Sequence, residues 1–157
     1  MRLFSLALTL LNLVVVSGRV SAQDAGADSP ARAEASVFRS LQHAIASNDR
    51  SSAAALFVYP FRVNRSARSH STVRTKAELL KSFDTILPDP VRRAIIQQNP
   101  DSLFHNWQGS MVGNGEIWIA GVCRDRAATQ CRYGVTTVNL QTVSRRANPS
   151  ELSSRAI

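Results

Sequence analysis

The sequence predicts an α+β fold in which helices come first and antiparallel strands come last. Val37, Leu41 and Ile45 recur at helical spacing and fall on one helix face. Residues 116–123 and 131–140 are instead rich in β-branched and aromatic side chains, which is typical of strands. Because helical and strand segments do not alternate, the order favours α+β over a parallel α/β sheet.

Length and composition indicate a single domain with a shorter segment on each side of it. A chain of 157 residues suits a single domain. Its 44% of hydrophobic and 19% of charged residues exclude a wholly disordered, collagen-like or coiled-coil protein. We expect a signal peptide at residues 1–22, a flexible leader at 23–33, one α+β domain at 34–142 and a flexible tail at 143–157.

The first 22 residues have the pattern of an export signal. Arg2 precedes an apolar run at residues 3–16, and Val20-Ser21-Ala22 is a small-residue cleavage site. The run is shorter than the ~20 residues that span a bilayer, which argues against a membrane anchor. We therefore expect a secreted, periplasmic protein with no transmembrane segment in its mature chain.

The second helix and the segment after it are predicted from capping and from proline. Ser51 or Ser52 is placed to cap a short helix at residues 53–57. Tyr59-Pro60 is expected to end that helix, because proline disfavours helical geometry in the residue before it. Short extended pieces are expected around Phe61, Val63 and Val73.

Two further helices are predicted in the middle of the chain. Thr75 and Glu78 form a capping box at the start of a helix that continues to about Ile86. Asp89 is expected to cap the next helix, with Pro90 at its first position. After it, residues 103–112 lead through a glycine turn into three strands of an antiparallel meander.

Cys123 and Cys131 are predicted to form a disulfide. They lie at the facing ends of the two strongest predicted strands, where opposed Cα atoms are about 4.5–5.5 Å apart. An exported chain reaches an oxidising compartment in which such a bond persists. Two free thiols are the alternative. No Cys-x-x-Cys redox motif and no ligand set for a metal are present in the sequence.

Basic residues concentrate between Asp49 and Glu78, an interval that contains no acid. The formal net charge of the whole chain is +8. A solvated surface and a contact with an anionic envelope component or a protein are both compatible with this interval. Nucleic acid is disfavoured because no aromatic residues are interleaved to stack on bases. The basic surface candidates are Arg62, Arg65, Arg68 and Arg74.

Three segments resemble exported proteins of the cystatin-like superfamily with the nuclear transport factor 2-like fold. They are AAALFVYPF at residues 53–61, TKAELLKSF at 75–83 and LFHNWQGSMVGNGEIWI at 103–119. The resemblance covers about residues 34–142. It implies a cone-shaped fold, with N-terminal helices packed on a curved antiparallel sheet and a pocket between them. Proteins of this fold include ligand-binding proteins and enzymes, so fold alone does not give function.

No residue is assigned a catalytic role, and no cofactor or metal is expected. Neither a Ser-His-Asp nor a Cys-His arrangement follows from the spacing, although His105 stands beside the most distinctive string. The candidates for lining a pocket are Tyr59, His105, Trp107, Glu116, Trp118 and Tyr133.

The expected role is non-catalytic binding of a small molecule, an envelope polymer or a protein partner. A pocket enzyme of the isomerase or hydratase type is the first alternative, and an inhibitor or immunity-like protein is the second. A buried carboxylate that faces a Tyr or a His would favour the enzyme. An apolar or blocked pocket beside exposed arginines would favour the binder.

Overall fold

The computed structural model describes residues 29–128 and 130–142. Helices are followed by one open six-stranded mixed sheet, so the predicted α+β class is confirmed. The expected signal peptide at residues 1–22, the first part of the leader and the tail at 143–157 lie outside the described residues.

The first helix, α1, runs from Pro30 to Ala46. The prediction that the leader extends to residue 33 is wrong at its end, because Ser29 caps the helix through the amide of Arg32 and Pro30 occupies its first turn. The helix buries Glu34, Phe38, Leu41, Ala44 and Ile45.

The second helix, α2, spans Arg50–Ala55 and is followed at once by strand β1, Phe57–Asn64. Asp49 caps α2 by accepting from the amide of Ser52, so the prediction of a serine cap is wrong. Tyr59-Pro60 lies inside β1 and does not end the helix. A proline is tolerated there because the pairing of β1 with its parallel neighbour is irregular between Phe57 and Arg62.

The next helices are shorter than predicted. The cap at Thr75 is confirmed, because its hydroxyl oxygen accepts a hydrogen bond from the amide of Glu78. The carboxylate of Glu78 accepts in turn from the amide of Arg74. The helix is interrupted at Ser82, giving α3 (Lys76–Lys81) and α4 (Phe83–Ile86).

Helix α5, Asp89–Gln97, begins without a side-chain cap. Asp89 occupies its first turn and pairs with Arg92, so the prediction that it caps the helix is wrong. A 3-10 turn at Pro100–Ser102 follows, with Asn99 accepting from the amide of Asp101.

The sheet has the strand order β2-β1-β6-β5-β4-β3. All neighbours are antiparallel except β1 and β6, which are parallel, so the expectation of an antiparallel sheet is wrong at this pair. The predicted three-stranded meander is extended by one strand, since β3 to β6 are consecutive neighbours. The remaining strands are β2 (His70–Val73), β3 (Phe104–Asn106), β4 (Gly109–Val112), β5 (Ile117–Cys123) and β6 (Cys131–Asn139).

The register separates two faces of the sheet. On the inner face, which α1 covers, Val63, Val138, Ile117 and Val112 form one buried row across four strands. The adjacent register row points the other way, because successive side chains in a strand alternate between faces. This outer row consists of Thr72, Arg62, Thr137, Trp118, Met111 and Phe104.

Cys123 and Cys131 are directly opposed at the loop end of the β5–β6 hairpin. Their Cα atoms are 3.9 Å apart and their sulfur atoms are at disulfide-bonding distance, as the sequence predicts. No helix in the described part of the chain combines the length and the apolar character needed to cross a membrane.

Candidate functional site

The main candidate site is a cleft of about 540 Å³ between the start of α1 and the inner face of the sheet. We call it the inner cleft. It is lined by Pro30, Glu34, His105, Asn106, Trp107, Gln108, Gly109, Ala120, Gly121, Cys123, Ala128, Cys131 and Tyr133.

A buried carboxylate faces a histidine in the inner cleft. Oε2 of Glu34 lies 2.9 Å from Nδ1 of His105 and accepts a 2.7 Å hydrogen bond from the hydroxyl of Ser110. Only 2% of Glu34 is exposed, whereas the side chain of His105 is 37% exposed. The carboxylate is therefore shielded from water while the imidazole remains accessible.

Two local features bring these groups together. Glu34 lies four residues before Phe38 and seven before Leu41, so it extends the buried face of α1 by one turn. His105 and Ser110 are direct cross-strand partners in β3 and β4, which places both side chains on the inner face beneath that turn.

A tight hairpin between β3 and β4 forms the rim of the inner cleft. Gly109 has a φ of +121°, and a Cβ at this position would clash with the carbonyl oxygen of Ile119, so no larger residue fits there. Trp107, at the tip of this hairpin, is 90% exposed. The hairpin thus holds an indole in solvent beside the cleft.

Tyr133 forms the opposite wall of the cleft. It is paired with Gly121 across β5 and β6, and a Cβ on that glycine would lie 2.7 Å from the tyrosine ring. The missing side chain therefore leaves space for the ring to lie over the sheet.

The geometry determines which atom of His105 can meet a ligand. When Nδ1–H is donated to Glu34, Nε2 keeps its lone pair and can accept a proton or a hydrogen bond. Ser110 is 1% exposed and its hydroxyl is already used by Glu34, so it is not placed as a nucleophile.

Three of the six predicted pocket residues, His105, Trp107 and Tyr133, lie together in the inner cleft. Glu116 is buried and accepts a 2.6 Å hydrogen bond from the amide of Asn114. Trp118 lies on the outer face of the sheet.

Tyr59 also lies away from the inner cleft, in a cluster with Phe57 and Phe61. Its hydroxyl donates to the carbonyl of Ala54 at 2.8 Å. Burial raises the pKa of Tyr59 to about 12, against the opposing positive charge of Arg132.

Glu34 is the site residue that sequence reasoning missed. A carboxylate on the apolar face of an amphipathic helix is unusual, because burying an unpaired charge is costly. Its spacing from Phe38 and Leu41 is visible in the sequence. Its pairing with His105 is not, because it depends on how α1 crosses the sheet.

The four predicted basic residues lie on or beside the β1–β2 hairpin and are exposed. In the described part of the chain, ion pairs involve Arg39, Arg50, Arg92 and His105, but none of these four. The four are Arg62, Arg65, Arg68 and Arg74.

Across residues 29–128 and 130–142, no group of three or more His, Cys, Asp or Glu side chains is arranged to hold a metal ion.

The chain matches no protein-family model, no curated protein and no solved structure to which it was compared.

Proposed function

We propose that the protein binds a small molecule in the inner cleft. The observation that carries the proposal is the exposed imidazole of His105, held by a buried carboxylate on the wall of a cleft of about 540 Å³. Ligand sites typically combine a concave surface of this size with aromatic walls and a few oriented polar groups. Trp107 and Tyr133 supply the aromatic surface.

The chemistry of the lining indicates the kind of ligand. A hydrogen-bond donor of the ligand would donate to Nε2 of His105. A planar or apolar group of the ligand would lie against Trp107 or Tyr133. We therefore expect a largely uncharged, ring-containing compound with at least one O–H or N–H donor.

A pocket enzyme is the second candidate, and the Glu34–His105 pair is the observation that favours it. A histidine whose Nδ1–H is held by a carboxylate is oriented to remove a proton at Nε2, and the imidazolium formed is stabilised by that carboxylate. In this role His105 would abstract a proton from a bound substrate or water and return it to another atom, as an isomerase or a hydratase requires.

The setting of this activity is also proposed. We infer an exported, periplasmic protein with the nuclear transport factor 2-like fold of the cystatin-like superfamily. The export pattern of residues 1–22 and the disulfide-capable pair Cys123–Cys131 support export. Helices followed by an open sheet agree with the proposed fold.

The proposal is tested by native mass spectrometry of the mature chain purified from its own envelope. We expect a small molecule to be retained by the wild type and lost from His105→Gln. His43→Gln, which changes an exposed histidine outside the inner cleft, is the matched control and should retain it. Retention by both variants would contradict binding at His105. Recovery of a chemically altered ligand after incubation with the wild type, but not with His105→Gln, would favour the enzyme.

A further inference from the structure

A second concave surface lies on the outer face of the sheet. We call it the outer groove; its volume is about 350 Å³. Apart from one indole, its lining consists of amide and hydroxyl side chains. The lining residues are Asn64, Gln108, Trp118, Thr136, Thr137 and Asn139.

Two polar atoms in the outer groove are available to a ligand. Within the described chain, the hydroxyl of Thr137 and the indole N–H of Trp118 make no hydrogen bond. In the described chain, every fully buried side-chain nitrogen or oxygen atom has a hydrogen-bond partner. The hydroxyl of Thr137 and the indole N–H of Trp118 have none, so both must be accessible to solvent. Their partner in the free protein is therefore water, which a ligand can replace.

Arg62 adds a fixed positive charge beside the groove. It is the register partner of Thr137, and its Nε donates to Oδ1 of Asn64 at 2.6 Å. Asn64 in turn donates to Asn139, which donates to the carbonyl of Gly115. This chain of hydrogen bonds positions the guanidinium while both terminal nitrogens remain without an acid partner in the described residues.

We propose that the outer groove binds an acidic oligosaccharide. A sugar ring has an apolar C–H face that lies on an indole, here Trp118, and hydroxyls that pair with Thr137 and the neighbouring amides. A carboxylate on the sugar would take the two free nitrogens of Arg62.

The spacing requires more than one sugar unit. Arg62 and Trp118 are two strands apart in one register row, which corresponds to about 10 Å. Arg65 and Arg68 continue the positive surface past the end of β1 and would attract a longer anionic chain. An acidic peptide is less well matched, because the lining offers many amides and hydroxyls and no deep apolar pocket for a side-chain anchor.

The two tryptophans of the chain allow the two sites to be read separately. In Trp107→Phe the only indole is Trp118, which reports on the outer groove. We expect tetragalacturonate to change the fluorescence of this variant saturably, whereas maltotetraose, a neutral tetramer, leaves it unchanged. An equal response to both sugars, or to neither, would overturn the proposal.

Arg62→Gln, made in the Trp107→Phe background, tests the role of the guanidinium. Removal of a two-bond carboxylate contact should weaken tetragalacturonate binding about tenfold. Arg93→Gln removes the same charge from an exposed arginine on α5 that forms no ion pair with the described residues. It should change affinity by less than about twofold. Equal weakening by both variants would show a diffuse charge effect. Equally tight binding of tetraglutamate would show an acidic-peptide site; either result overturns the proposal.

This inference goes beyond the small-molecule function proposed for the inner cleft and does not depend on it. In Trp118→Phe the remaining indole is Trp107 at the rim of the inner cleft, and tetragalacturonate should leave its fluorescence unchanged. A response of Trp107 alone would place the sugar in the inner cleft and contradict a site on the outer face.

Discussion

The carboxylate of Glu34 and the imidazole of His105 lie 2.9 Å apart, although 71 residues separate them in the chain. One belongs to the first helix and the other to a short strand at the edge of the sheet. Their contact joins the two layers of the fold beside the inner cleft, so it affects both stability and the proposed function.

Replacing Glu34 with Ala should lower the free energy of unfolding by about 1–3 kcal/mol, because the imidazole of His105 and the buried hydroxyl of Ser110 lose their shared acceptor. Glu34→Gln retains one acceptor oxygen and should cost less. Urea unfolding of the two variants beside the wild type measures the difference. Equal stability of wild type and Glu34→Ala would contradict the hydrogen bonds of Glu34 with His105 and Ser110.

Removing the disulfide should destabilise the protein by about 2–3 kcal/mol, as expected for closure of a loop of nine residues. Cys123→Ser combined with Cys131→Ser is the variant, and urea unfolding is the measurement. Alkylation of the unfolded wild type without reductant should add no mass at either cysteine. Modification of both cysteines would show that the bond does not form.

Acid should weaken the contact between α4 and α5. The hydrogen bond from Arg92 holds the pKa of Asp84 below its ordinary value of 3.8, with Arg50 adding to the effect. The stabilisation is present above that value and is lost as the pH falls through the lower, folded-state pKa.

The test of the acid effect compares two adjacent arginines on α5. Melting temperatures measured from about pH 6 to about pH 2 should fall less steeply for Arg92→Gln than for the wild type. Arg93 makes no ion pair in the described chain, so Arg93→Gln should follow the wild-type profile. Parallel profiles for all three proteins would contradict this account.

Tyr59 should resist ionisation. Burial raises its pKa from 10.0 to about 12, so its neutral form contributes stability that is lost as the pH rises through the folded value. The tyrosinate absorbance of the wild type should include a step near pH 12 that is absent from Tyr59→Phe. Complete ionisation of the wild type by about pH 11 would contradict the buried environment.

Local signals in the sequence were sufficient for some parts of the fold and not for others. The cap at Thr75 and the opposed pair Cys123–Cys131 depend on residues close in sequence, and both were predicted. The cap of α2 was misassigned because Asp49, Ser51 and Ser52 are all suitable residues. Which of them caps depends on where the preceding turn ends.

Long-range relationships account for the features that local sequence patterns do not predict. The parallel pairing of β1 with β6 joins the first strand of the domain to the last. It also holds Pro60 in a strand, where local preference indicated a helix end. The pairing of Glu34 with His105 is not predicted for the same reason, because it depends on how α1 packs across the sheet beside β4.

The most direct test of the central claim is ¹⁵N NMR of the histidine side chains, three in number, with His105 assigned by its loss in His105→Gln. At a pH where the ring is neutral, we predict that His105 carries its proton on Nδ1 and that Nε2 is unprotonated. We also predict that Glu34→Gln abolishes this tautomer preference. A proton on Nε2 in the wild type, unchanged in Glu34→Gln, would contradict the account of the inner cleft.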